Sequence, residues 1–126
     1  DTMMQLKLLG VLQYYDSPYA SLYQDKNSRN LYVAVEQDSK KPKEFCSLVL
    51  HVSKLMVEYY LQHKIGLREM AKNVNDKYLW CRKKGQMGTF ISLKQEDASK
   101  YIDMDDDMFD QDFCNQASLI KYHLNN

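Results

Sequence analysis

No run in this chain approaches the roughly 20 apolar residues that a membrane-spanning helix needs, and it holds only four glycines and two prolines. The first shortage argues against a transmembrane helix. The second leaves little material for a phosphate-cradling loop, and no GxxxxGK[ST], GxGxxG or GxSxG occurs. Cysteine is sparse: Cys46, Cys81 and Cys114 are odd in number, widely spaced and without a CxxC. That pattern is expected of reduced thiols in a cytoplasmic protein rather than of a disulfide framework. His51, His63 and His123 never stand three or four residues from another histidine or a cysteine, so no metal-ligand spacing arises. The opening DTMMQLKLLG lacks the basic start and small-residue cleavage site of a signal peptide. A start at Asp1 instead of Met is expected of a chain missing a few leading residues.

Among what is present, 126 residues with 44% apolar and 27% charged side chains describe one globular domain, able to bury a core without staples. Tyrosine supplies ten of the fifteen aromatics, which suits half-exposed sheet faces and contact surfaces because the ring buries while the hydroxyl stays wet. Net charge is zero but unevenly spread. Residues 1–95 hold fifteen Lys/Arg against nine Asp/Glu, while residues 96–126 hold two lysines against eight acids. A basic body thus carries an acidic, peripheral C-terminal segment, and a partner meeting either charge is one use of that asymmetry.

Read in order, residues 6–15 form a strand that bends or bulges at Gly10, and Asp16-Ser17-Pro18 makes a turn. Residues 19–24 and 31–36 continue an antiparallel meander across a polar connection. Residues 37–43 are a loop carrying Pro42, and residues 45–52 are a fourth strand. Ser53 stands where a helix N-cap belongs. The apolar spacing that follows places Leu55, Met56, Tyr59 and Tyr60 inward, with His63 beside them. Gly66 reads as the stop of this helix, at C′. Residues 67–73 form a second helix, with Leu67, Met70, Ala71 and Val74 as its apolar side. Residues 78–82 and 89–93 are two last strands around a basic hairpin, residues 95–100 a helical turn, and residues 116–124 a short helix presenting Ala117, Ile120 and Leu124. The expected fold is α+β: a mainly antiparallel sheet of five or six strands with a helix pair packed on one face.

Three constellations carry potential chemistry. Asp103, Asp105 and Asp107 match the opening of an EF-hand calcium loop, but Met108 stands where the turn wants glycine and Cys114 where a bidentate Glu belongs. No metal or cofactor is therefore expected. The same run, Asp103, Asp105, Asp106, Asp107, Phe109 and Asp110, is the expected contact surface for another protein. The second set, Trp80, Arg82, Lys83 and Lys84, combines an aromatic with a basic hairpin and is the alternative, a nucleic-acid contact. Third, any of the three cysteines could pair with a histidine only if the fold assembled them; Cys46 and His51, five apart on a strand, point to opposite faces. The helix–Gly66–helix stretch fails as a DNA-reading motif, because Gln62, Lys72 and Asn75 occupy positions that need small or apolar residues.

Tyr14, Tyr15, Asp16 and Pro18, then Val52 and Ser53, then Gly66, Leu67 and Arg68 resemble a family of small uncharacterised bacterial domains with a YYDxP-type turn and a Gly-Leu-Arg helix step. The resemblance spans about residues 8–95 and implies the fold without any activity. The function expected from all this is non-catalytic. It is a protein-binding domain of the kind used as an immunity or antitoxin factor, or as an accessory or inhibitor in bacterial or phage conflict. Its partner would be a basic toxin or nuclease drawn to the acidic run.

Overall fold

Six strands, β1 (Leu6–Tyr15), β2 (Ser17–Asp25), β3 (Leu31–Gln37), β4 (Glu44–Val52), β5 (Lys77–Lys83) and β6 (Thr89–Ser92), form one antiparallel sheet in chain order. Helices α1 (Lys54–Leu61) and α2 (Leu67–Asn73) connect β4 to β5, and α3 (Gln95–Ala98) and α4 (Ala117–Leu124) follow β6. The computed structural model describes residues 5–15, 17–37, 44–102, 105–109 and 117–125. The fold is thus α+β, at the upper of the two expected strand counts. Among the described residues no helix is long and apolar enough to cross a membrane.

Strand alternation decides which side chains meet the helices. Leu22 opposes Val33, which opposes Leu50; Val35 opposes Leu48, and Leu31 opposes Val52. Directly opposed residues share a face, and all of these are buried. Onto them α1 and α2 lower Val57, Tyr60, Leu61, Leu67, Met70 and Ala71. Each large side chain withdrawn from water in this way stabilises by about 1.5–3 kcal/mol. Tyr60 is fully buried because its hydroxyl is satisfied: Gln13 Nε2 donates to it at 2.5 Å, and it donates to the Leu12 carbonyl at 3.4 Å. Ile120 of α4 joins the same core.

Local chemistry explains the joints. Gly10 lies at a register shift in β1, as expected, and further shifts fall between Val11 and Gln13 and between Gln13 and Tyr14. The β2–β3 turn is organised by Asp25, whose carboxylate accepts from the Asn27 amide at 3.1 Å and the Ser28 hydroxyl at 3.0 Å. These bonds, the Asn27 amide foremost, hold its pKa below the usual carboxylate value despite burial. Ser53 caps α1 by accepting the Met56 amide at 3.1 Å. The loop around Pro42, Asp16 of the first turn, and Cys114 lie outside the described residues.

Two expectations for the helix pair are corrected. α1 is rotated from the anticipated phase: Leu55 is 54% and Tyr59 40% exposed, whereas Val57, Tyr60 and Leu61 are buried. Two apolar triplets, residues 55–57 and 59–61, allow two overlapping helical stripes, and the sheet selects the later one. Gly66 is the N-cap of α2, in extended conformation, and does not end α1. That end is at Gln62, with His63 at φ 62°. The His63 amide donates to the Tyr60 carbonyl at 3.1 Å and the Lys64 amide to that of Tyr59 at 2.9 Å, the Schellman pattern. Lys64 then folds over the Tyr59 ring at 5.1 Å.

The rotated phase makes a pair of substitutions diagnostic. Met70→Asp, at a fully buried site, should abolish a cooperative urea transition, since an unpaired carboxylate replaces packed thioether. Leu55→Asp should shift stability by no more than about 0.5 kcal/mol, as exposed positions do. A large loss at Leu55 would return α1 to the phase expected from sequence.

Candidate binding surface

Each face of the sheet holds one of the charged or aromatic sets singled out above. Residues 105–109 lie on the helix side, against the start of α2. The Asp107 carbonyl accepts the Leu67 amide at 3.0 Å, and Asp106 Oδ1 accepts the Glu69 amide at 3.2 Å. Gly66 offers no side chain to cap its own helix, so Asp106 supplies the cap from a distant part of the chain. The fit requires glycine: a Cβ at Gly66 would stand 2.6 Å from the Asp106 carbonyl oxygen and would overlap its carboxylate. Asp107 takes a hydrogen bond from the Tyr19 hydroxyl, and the Met108 carbonyl one from Gln13 Nε2 at 2.6 Å. Burial first, then the bond to Asp107 and the nearby Asp107 and Asp105 charges, push the Tyr19 phenol far above its usual pKa.

Phe109, expected at a partner contact, is 2% exposed, with its ring 5.7 Å from Tyr60 and 6.1 Å from His63. It is a member of the core, packed beside Tyr60 of α1 and His63 of the turn that follows. Asp105 is exposed, whereas Asp106 and Asp107 bond within the fold. Asp103 and Asp110 lie outside the described residues. The acidic run is therefore tied down as a strap at its described positions.

Among the described residues, no helix packs on the opposite face. Ala34 opposes Val49, which opposes Tyr78; Ser47 opposes Trp80, which opposes Phe90. A trough of about 280 Å³ crosses this face, floored by Ala34, Ser47 and Val49 and walled by Leu6, Tyr23, Trp80 and Phe90. Its depth follows from sequence: the central strands carry short side chains here, and the outer strands carry rings. At one end Tyr32 stacks on His51 at 5.1 Å and meets Tyr78 edge-on at 6.4 Å. His51 Nδ1 lies 3.5 Å from Asp76. Burial, and then the Glu36 carboxylate, raise the Tyr23 phenol above its usual pKa, so it remains a neutral donor beside the trough. The Trp80 indole lies directly on the hairpin backbone, where a Cβ at Gly88 would overlap it. The ring is thereby held as a wall.

Of the basic set, Trp80 and Arg82 share this open face, two residues apart on β5. Arg82 sits over the Phe45 ring at 5.5 Å. Lys83 opposes Glu44 on the other side of the sheet, and Lys84 belongs to the hairpin turn. The structure therefore brings together two of the four, with Phe45 as a third member that sequence reading did not include.

The expectation of reduced thiols is also corrected. Cys46 and Cys81 oppose one another across β4 and β5, with Cα atoms 4.2 Å apart, and are joined by a disulfide. Residues 35 apart in sequence give no signal of pairing until the register of those strands is known. Glu44 completes the one His/Cys/Asp/Glu group of metal-binding spacing among the described residues, but two bonded sulfurs offer it no thiolate. His51 lies on the opposite face from Cys46, as alternation requires.

No protein-family model matches this chain, and neither a curated protein nor a solved structure does. The site is thus defined by its own geometry, an α+β domain with one helical face and one open aromatic face.

Two measurements test the strap. Asp106→Ala should lower stability by about 0.5–2 kcal/mol, the cost of a lost N-cap, in a denaturant titration near neutral pH. Tyr19 adds a pH signature. Its folded pKa lies above the unfolded value of about 10, so its contribution is intact below pH 10 and fades as pH rises beyond it. Tyr19→Phe should make the alkaline decline in stability shallower; an unaltered decline would remove Tyr19 from the strap's account.

Proposed function

We propose that this chain is a non-catalytic protein-binding domain whose docking surface is the open sheet face. The trough between Tyr23 and Trp80 is the observation that carries this reading. Apolar, ring-walled depressions of this kind receive the buried anchor side chains that dominate protein–protein affinity. Its Trp80 wall already packs on the Gly88 backbone, and Tyr32 at one end packs on His51 and Tyr78, which limits the side-chain entropy lost on docking. An immunity or inhibitor role in bacterial or phage conflict is the biological use we favour, since it needs one rigid surface and no reaction chemistry. The acidic strap is occupied internally, which moves the proposed contact away from Asp106, Asp107 and Phe109 and onto the trough.

A second reading rests on Trp80, Arg82 and Phe45 sharing this face: single-stranded nucleic acid stacking on the rings, with Arg82 and Lys84 of the adjoining hairpin turn meeting phosphate. The two readings separate on salt. Nucleic-acid binding falls steeply as salt rises, whereas docking of an apolar anchor is nearly insensitive to it.

Ala34→Arg fills the trough floor without touching the core. A partner captured by the wild-type chain should bind the purified Ala34→Arg and Trp80→Ala variants at least about 10-fold more weakly, a loss of ~1.4 kcal/mol, with unfolding midpoints unchanged for Ala34→Arg. Equal affinity for both variants would place the docking surface elsewhere. Anisotropy titration with a labelled single-stranded oligonucleotide at low and high salt decides the second reading.

A further inference from the structure

A second depression lies on the helix side, away from the trough. It has a volume of about 510 Å³ and is lined by Arg68, Lys72, Lys77, Gln95, Ser99 and Ile102. Three of these six are cations and none is an acid. Arg68 and Lys72 are one turn apart on α2, so their side chains rise from the same stripe. Lys77 opens β5, and Gln95 and Ser99 come from α3 and its C-cap. Two consecutive elements, α2 and β5, thus meet α3, further along the chain, at one cleft.

Lys77 is the informative member. It is only 7% exposed, and its ammonium donates to the Val74 carbonyl at 2.8 Å. An ammonium carries three donors, and a buried charge is ordinarily matched by an opposite one. Among the described residues no carboxylate stands within ion-pairing distance of Lys77, Arg68 or Lys72; the ion pair found there is His51–Asp76. A lysine kept for packing alone would be better replaced by methionine or leucine. Arg68 adds a planar fork suited to two phosphate oxygens, and Lys72 a mobile point charge. Gln95 provides a neutral amide, Ser99 a hydroxyl oxygen whose proton goes to the Glu96 carbonyl at 2.8 Å, and Ile102 an apolar wall.

We infer that this cleft binds a small molecule carrying a phosphate monoester or pyrophosphate group, with Lys77 and Arg68 on the anion and Gln95 and Ser99 beside the group attached to it. The volume lies within the range of small-molecule sites and exceeds what one phosphate needs. The inference is independent of the proposed docking surface, which lies on the other face of the sheet.

Calorimetric and thermal-unfolding titrations of the full chain with inorganic phosphate, inorganic pyrophosphate and adenosine monophosphate test it, with sodium sulfate at matched ionic strength as the control. The expected result is saturable binding and a rise in Tm with at least one phosphate compound, and a smaller effect of sulfate. Tighter binding of the nucleotide than of both inorganic anions marks an ester ligand; the reverse marks the bare anion. Arg68→Gln with Lys72→Gln, both at exposed positions, should weaken binding at least about 10-fold while leaving the ligand-free Tm unchanged. Lys77→Met should abolish binding and hold or raise the ligand-free Tm. That combination is the mark of a charge retained for a ligand, which a structural lysine would not give. No saturable binding of any of the three compounds overturns the inference. So does sulfate matching them, or full affinity in the Arg68→Gln/Lys72→Gln protein.

Discussion

A sheet has two faces, and the described helices of this chain pack on one of them. That constraint shapes everything else. On the helix side the aliphatic rows of β2, β3 and β4 are sealed by Tyr60, Leu67 and Met70. On the other side the sheet must shelter its own middle, and it does so with rings borne on its outer strands. Tyr23, Trp80 and Phe90 stand around Ala34, Ser47 and Val49, and Val49 is almost fully buried with no helix over it among the described residues. The trough is what remains when large side chains surround small ones on an uncovered sheet.

The helical cover is itself held by a segment that looks, by composition, like a loose acidic tail. Asp106 reaches Glu69, Asp107 reaches Leu67 and Tyr19, and Phe109 packs beside Tyr60 and His63. The surplus of acids after residue 95 therefore meets the basic body partly through helix-end amides and a phenol rather than through lysine–carboxylate pairs. Amide and hydroxyl donors suit carboxylates in partly buried places, because they neutralise without the desolvation of a second full charge. Three cations without an acidic partner among the described residues, Arg68, Lys72 and Lys77, line one cleft.

What could be read in advance tracks how local the determining physics is. The strands, the Ser53 cap and the apolar side of α2 depend on neighbours in sequence and stand close to where alternation and spacing put them, except that β2 begins at Ser17, inside the expected turn. The phase of α1 could not be read, since residues 55–57 and 59–61 satisfy two stripes equally and only the shape of the sheet chooses. Gly66 was legible as a break but not as a contact: its lack of a side chain serves Asp106, forty residues away. Phe109 looked like a surface anchor because its neighbours are acids, yet those acids bond helix amides and carry the ring inward. The Cys46–Cys81 pair and the basic cleft are products of register and of convergence between elements. Trp80 was singled out for its basic neighbours, and its actual partners are Gly88 and the short floor of the trough.

One border of the sheet has a consequence beyond the single chain. Strand β1 shifts register three times within ten residues. An edge with unpaired amides and carbonyls ordinarily invites another strand to add to it. Successive bulges interrupt the regular ladder that an added strand would need. The opposite border, β6, is only four residues long. Irregular or short borders of this kind are among the devices by which sheets discourage edge-to-edge growth.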